Sequence, residues 1–213
     1  LTTSEIDVLI NKYAEAAKRA VKAGVDAIEL HGAHGYLIHQ FQSPLTNKRS
    51  DKYGENLGLF GERVISAVKN SIPAEMPLFL RTSAIEFHPE GYGLEHSLNL
   101  AADYLTAGID VFHVSAGGES QNGPSATIGS DAGYQLGLAQ AFKNKFNVPI
   151  IAVGNLSDAA LSNSVITNNQ ADMVAVGRGL LRNPYWSLNT AAELHKQTDV
   201  PKQYSPAFPD IKN

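Results

Sequence analysis

Two histidines and a tyrosine follow a short apolar run in the segment DAIELHGAHGYL, residues 26–37. His31 and His34 are three residues apart, and Tyr36 follows two residues later. Such imidazoles can bind a metal ion, pack near a strand end, or donate hydrogen bonds to a substrate oxygen. Zinc, with His39 or a carboxylate as third ligand, is the weakest alternative, because the usual two-histidine helical motif spaces its histidines four apart. We favour a site in which the histidines hold a substrate oxygen and the neutral tyrosine hydroxyl supplies a proton.

Other polar and glycine-rich residues also follow apolar runs. Arg81 ends the run PLFLR, where an unpaired guanidinium would be costly to bury. It therefore either forms an ion pair, with Glu29 or Glu86, or faces an electron-rich ligand. The remaining residues of this kind lie after three later runs: Ser115, Gly117, Gly154, Asn155, Gly177 and Arg178.

The segments that carry these residues predict alternating helices and strands. Apolar residues at helical spacing predict a helix over 2–21, with a capping box of Thr2 and Glu5 and a stop at Gly24. Further helices are predicted over 94–105, over 135–146 and after Ser157 or Asp158. The predicted buried strands are 25–30, 77–81, 109–115, 148–153 and 172–176. This alternation is typical of a parallel α/β sheet with right-handed crossovers.

In a parallel sheet the carboxyl ends of the strands lie at one edge, where α/β proteins bind ligands. The two last loops are suited to a phosphate, because glycine lets the backbone approach closely and arginine binds phosphate with paired hydrogen bonds. Each loop alone could be an ordinary tight turn with a solvated arginine. Two such loops in succession favour the phosphate pocket found after the final strands of many (β/α)8 barrels.

Composition excludes several classes of function. The 213 residues carry a net charge of −4 with no block of lysine or arginine, so a nucleic-acid partner is not expected. There is no cysteine, which excludes disulfides, thiolate metal sites and a cysteine nucleophile in this chain. No apolar segment approaches the length of a membrane span, and we expect a cytoplasmic protein.

Longer motifs resemble the Old Yellow Enzyme family of FMN-dependent NAD(P)H oxidoreductases, and its bacterial ene-reductase branch in particular. They are HGAHGYLIHQFQSPLTNKRSDKYG (31–54), LRTSA (80–84), HVSAGG (113–118), AVGN (152–155) and DMVAVGRGLLRNPYW (172–186). The resemblance implies a TIM (β/α)8 barrel with bound FMN. It also implies that NADH or NADPH reduces the flavin, which then passes hydride to an activated alkene such as an enone.

The resemblance also implies a role for each site residue. His31 and His34 match the family's histidines that bind the substrate carbonyl, and Tyr36 matches its proton donor. Arg81 matches the arginine beside the flavin N1 and O2 edge. The positions that match the FMN-binding loops are Ser115, Gly117, Gly154, Asn155, Gly177 and Arg178. A phosphate-sugar aldolase or isomerase is a less favoured alternative, since no lysine lies in a predicted strand.

Two departures from the family pattern bear on these expectations. The run GENLGLFGERV (54–64) is shorter than the family's and lacks one of its arginines. The chain also starts at Leu1 with only about the last five βα units of eight, so we expect a single domain (1–213) that is the C-terminal part of a longer reductase. In it, residues 1–24 precede the first strand and 187–213 form a C-terminal helix and tail. Exposed sheet edges predict a homo-oligomer. The alternative to an enzyme is an inactive barrel fragment with only a structural or assembly role.

Overall fold

The computed structural model describes residues 1–118 and 129–211 and arranges them around a five-stranded parallel sheet. Its strands are adjacent in sequence order, as the alternating pattern predicts. The strands are β1 (Ile28–Gly32), β2 (Leu78–Ser83), β3 (Val111–Ser115), β4 (Ile150–Val153) and β5 (Met173–Ala175). Each predicted strand is present, but β1 begins three residues later than expected, because its pairing with β2 starts only at Ile28.

The helices connect successive strands and flank the sheet. They are α1 (Thr3–Lys22), α2 (Leu37–Gln42), α3 (Lys52–Glu55), α4 (Leu59–Lys69), α5 (Leu94–Ala107), α6 (Leu136–Lys145), α7 (Ala159–Thr167), α8 (Arg178–Arg182) and α9 (Trp186–Glu193). The predicted capping box of α1 is confirmed: Thr2 Oγ1 accepts from the Glu5 N–H at 3.2 Å, and Glu5 Oε2 accepts from the Thr2 N–H at 2.7 Å. Asp158 rather than Ser157 caps α7.

The two faces of the sheet have different surroundings. Leu80, Phe112 and Ile150 lie in one row across the central strands and are fully buried. The next row contains His31, Arg81 and His113, which point to the opposite face because side chains alternate along each strand. These two histidines and the arginine thus lie on the face opposite to the row of Leu80, Phe112 and Ile150.

Helix packing leaves little free space between α4 and α5. A Cβ atom built on Gly61 would lie 2.5 Å from the hydroxyl oxygen of Tyr104, whose side chain is fully buried. Gly137 in α6 differs, since a Cβ there would contact nothing within 4 Å. Of the helices in the described ranges, none combines the length and the apolar character needed to cross a membrane.

We expect Gly61→Ala and Gly137→Ala to change stability in opposite directions. Overpacking against Tyr104 should lower the free energy of unfolding by about 1–3 kcal/mol. The exposed Gly137→Ala should raise it by about 0.5–1 kcal/mol, because alanine loses less backbone entropy in a helix. Urea unfolding of both variants measures the difference, and equal effects would contradict the packing between α4 and α5.

Candidate active site

A cavity of about 600 Å³ opens at the edge of the sheet where the strands end. Its volume lies within the range of about 300–1,000 Å³ that is usual for small-molecule sites. All but two of the predicted site residues line it: His34, Tyr36, Arg81, Ser115, Gly154, Asn155, Gly177 and Arg178. His31 and Gly117 do not line this cavity.

His31, His34 and Tyr36 are nevertheless close together. The ring of His31 lies 5.4 Å from that of His34 and 4.9 Å from that of Tyr36, measured between centroids. Tyr36 precedes α2, and its side chain is 62% exposed, so its hydroxyl is accessible from solvent. The arrangement allows two imidazoles and a phenol to approach the same small molecule.

Backbone geometry directs His34 into the cavity. His34 has φ 58°, in the left-handed region, and its N–H donates to Ser83 Oγ at 3.2 Å. The Ser83 hydroxyl in turn donates to the Gly117 carbonyl at 2.5 Å, and the Gly117 N–H donates to Ile85 O at 2.8 Å. Gly117 thus joins the loops that follow β2 and β3, although it does not line the cavity.

Burial and nearby positive charge keep the imidazoles neutral. Burial lowers the pKa of His34 from 6.5 to about 4, and the Arg81 charge adds to this effect. The pKa of His31 is lowered by the same two causes in the same order. Both rings are therefore available at neutral pH as uncharged hydrogen-bonding groups.

Arg81 has no ion-pair partner among the described residues, and its Nε is buried without a hydrogen bond there. The two carboxylates that could have paired with it have other partners. Glu29 Oε2 lies 2.8 Å from His113 Nδ1, and Glu86 Oε1 lies 2.9 Å from His39 Nε2. The ion-pair alternative is therefore wrong, and the guanidinium is left facing the cavity.

A buried network beneath the histidines was not found from the sequence. Glu86 is 2% exposed and is also contacted by the Ser43 hydroxyl at 2.8 Å and the Tyr92 N–H at 2.9 Å. Burial acts to raise the pKa of Glu86, but hydrogen bonds from His39, Tyr92 and Ser43 outweigh it, and the pKa is lowered. The network ties α2, which follows Tyr36, to the loop after β2.

The far end of the cavity is cationic. Arg178 and Arg182 both line it, four residues apart on α8, and neither forms an ion pair with a described residue. A Cβ built on Gly177 would contact nothing within 4 Å, so the backbone there is open to a ligand. None of the described residues that line the cavity is acidic. Sequence inspection missed Arg182, although its spacing from Arg178 on a short helix was a usable signal.

The described residues contain no group of three or more His, Asp or Glu side chains placed to hold a metal ion. The cavity instead offers arginines, amides, hydroxyls and imidazoles, a donor set suited to an anionic organic ligand.

We expect His34 to make stability depend on pH. Because its folded pKa of about 4 lies below 6.5, the unfolded chain takes up a proton first, and the free energy of unfolding falls as pH falls through that range. Burial opposes protonation of His34 most strongly, and positive charge on neighbouring groups adds to it. These groups are Arg81, His31, His39 and His113. His34→Asn keeps a residue that tolerates φ 58° and should reduce the slope.

His195→Asn is the matched control, since His195 has φ 51° but is exposed. Urea unfolding at a series of pH values measures both slopes. Equal slopes in the two variants would contradict the partly buried, neutral state of His34.

Comparison with known proteins gives consistent matches. Residues 1–197 match the profile of the NADH:flavin oxidoreductase / NADH oxidase family. The chain is 45% identical over 216 aligned residues to an NADPH dehydrogenase of Clostridium acetobutylicum, an alignment that covers 98% of this chain and 61% of that protein. It is 42% identical over 190 residues to an NADH oxidase of Thermoanaerobacter brockii, covering 87% of this chain and 29% of the relative.

The solved structure of morphinone reductase in complex with tetrahydroNAD is similar to this chain with a TM-score of 0.70 and 27% identity, covering 90% of this chain and 51% of the other. The match confirms the predicted fold: the five-stranded sheet is part of a TIM (β/α)8 barrel. The chain spans about three fifths of the length of the NADPH dehydrogenase that it resembles.

Proposed function

Since the chain belongs to the NADH:flavin oxidoreductase / NADH oxidase family, we propose that it carries the FMN phosphate site and the substrate-binding residues of an FMN-dependent NAD(P)H oxidoreductase that reduces activated alkenes. FMN as cofactor and NADH or NADPH as reductant, both expected from the motifs, are confirmed for the family and its named members. The single observation that carries the proposal is a cavity lined both by Arg81, which is paired with His31 in the sheet, and by Arg178, which follows the opposite edge strand β5.

The cavity residues fit FMN in chemistry. Arg178 and Arg182 would hold a phosphate dianion, with the open backbone at Gly177 and Asn155 close by. The buried, unpaired Nε of Arg81 would gain a partner from an electron-rich ring edge, and its charge would stabilise negative charge that develops there. When bound, FMN supplies hydride transfer, which the side chains of this protein cannot perform.

The histidines and the tyrosine would act on the substrate. His31 and His34 are uncharged at neutral pH, so each has one N–H to donate to a carbonyl oxygen. Withdrawing electron density through that oxygen makes the β-carbon of an enone electrophilic. Tyr36 lies 4.9 Å from His31 between ring centroids and would deliver the proton to the α-carbon.

We expect FMN to bind the purified chain and Arg178→Ala to weaken that binding by about 10- to 100-fold, since charged hydrogen bonds contribute about 1.5–3 kcal/mol. Quenching of flavin fluorescence measures the affinity. Arg19→Ala, an exposed arginine on α1, is the control and should leave affinity unchanged. Equal affinities in the wild type and Arg178→Ala would contradict a phosphate site at α8.

Tyr36→Phe tests the chemistry separately from cofactor binding. In FMN-loaded protein, loss of a general acid should slow enone reduction by about 10²-fold or more. Flavin reduction by NADPH should not change, because the hydroxyl takes no part in it. Stopped-flow absorbance resolves the two half-reactions, and Tyr185→Phe, with a half-exposed tyrosine, is the control. Slowing of both half-reactions alike would contradict a role for Tyr36 as proton donor.

A second candidate is a barrel segment with a structural or assembly role and no activity of its own. It is favoured by the edge strands β1 and β5, each of which is paired on one side only among the described residues. Absence of enone-dependent NADPH oxidation with saturating FMN would support it. Self-association through these edges stays a prediction, which sedimentation analysis tests. A cytoplasmic location also stays a prediction.

A further inference from the structure

A continuous line of side-chain hydrogen bonds runs from His34 to the end of β4. His34 Nε2 lies 2.8 Å from Ser115 Oγ, and Ser115 Oγ lies 3.3 Å from Gln135 Oε1. The Gln135 amide nitrogen then donates to the Val153 carbonyl at 3.1 Å. Ser115 and Gln135 both line the cavity, but each is only 3% exposed.

The direction of these bonds follows from the last of them. The Val153 carbonyl can only accept, so the NH₂ group of Gln135 must face it and Oε1 must face Ser115. An amide oxygen also only accepts, and the Ser115 hydroxyl must therefore donate its hydrogen to Gln135 Oε1. The serine oxygen is left to accept, and the group that it accepts from is Nε2 of His34.

We propose that Gln135, acting through Ser115, is a positioning residue that holds the neutral imidazole of His34 with its proton on Nε2. The proposal concerns the tautomer of one ring. Only the use of that tautomer in substrate binding rests on the proposed function. In that function, a substrate oxygen that displaces Ser115 from Nε2 meets a donor already in place, with no need to move a proton between the ring nitrogens. The positive charge of Arg81, which lies near His34, disfavours a second proton on the ring.

The same residues connect the two ends of the cavity. Gln135 contacts the carbonyl of Val153, the residue directly before the predicted phosphate loop at Gly154 and Asn155. A ligand that moved that loop would shift the Val153 carbonyl, which is the acceptor that sets the orientation of the Gln135 amide. The donor state of His34 would thus be coupled to the geometry of the loop after β4.

The ¹⁵N signals of imidazole distinguish the two neutral tautomers, and long-range ¹H–¹⁵N spectra of the labelled chain at pH 7 provide the test. The His34 signals are assigned with His34→Asn. In the wild type we expect the proton on Nε2. Gln135→Glu should retain this tautomer, because a carboxylate still accepts from Ser115 even though its bond to Val153 is lost.

Gln135→Met keeps the length of the side chain but removes the acceptor. The Ser115 hydroxyl should then donate to His34 Nε2, and a large share of the ring should carry its proton on Nδ1 instead. Ser162→Ala removes a different buried hydroxyl, one that donates to Leu156 O, and should leave the tautomer unchanged. Thermal unfolding followed by circular dichroism verifies that each variant is folded.

A wild-type His34 with its proton on Nδ1 would overturn the proposal, and this measurement needs no variant. A Gln135→Met spectrum identical to that of the wild type would overturn it as well. Failure of FMN to bind would instead count against the proposed function and would leave the tautomer measurement intact.

Discussion

Parallel strand pairing is the constraint on which the site depends. Because all five strands run in one direction and are adjacent in sequence order, their carboxyl ends meet at one edge of the sheet. The register places His31, Arg81 and His113 in one row, so a strand offset of one residue would turn Arg81 toward the apolar core. The apolar row of Leu80 and Phe112 therefore contributes to the core and also fixes the register that positions the polar site.

The second constraint is a buried carboxylate. Glu86 is withdrawn from water, so its oxygens need hydrogen bonds to remain ionised, and His39, Ser43 and the Tyr92 N–H supply them. Two of these partners flank the end of α2, the helix that Tyr36 precedes. Satisfying one carboxylate thus fixes α2 against the loop after β2.

Charge is distributed unevenly between the cavity and the rest of the chain. The chain has a net charge of −4, yet among the described residues its cavity contains three arginines and no acidic group. Such an excess of positive charge attracts anions and raises their concentration at the cavity. Burial lowers the pKa of His31 and His34, and the charge of Arg81 adds to this effect, which keeps both rings neutral.

The sequence by itself determined the elements and the edge at which they meet. Helical and strand periodicities and the capping box located most elements. Residues that follow strands, such as His34 and Arg178, line the cavity because the carboxyl ends of parallel strands lie at the same edge of the sheet. The short helices α2, α3 and α8 were not predicted because few apolar positions repeat in them, and the longer α4 was also missed although Phe60, Val64 and Val68 repeat at helical spacing. Motif resemblance supplied the family, which comparison confirmed.

Only the tertiary structure decided which polar atoms meet. Glu86 pairs with His39, 47 residues away, rather than with Arg81, which is much nearer in sequence, and Ser115 contacts His34 across 81 residues. Such pairs depend on side-chain directions and on distances of a few tenths of an ångström, to which hydrogen bonds are sensitive and sequence periodicity is not. Chain order therefore fixed where the chemistry is located, and packing fixed which groups are buried, paired or left free to bind.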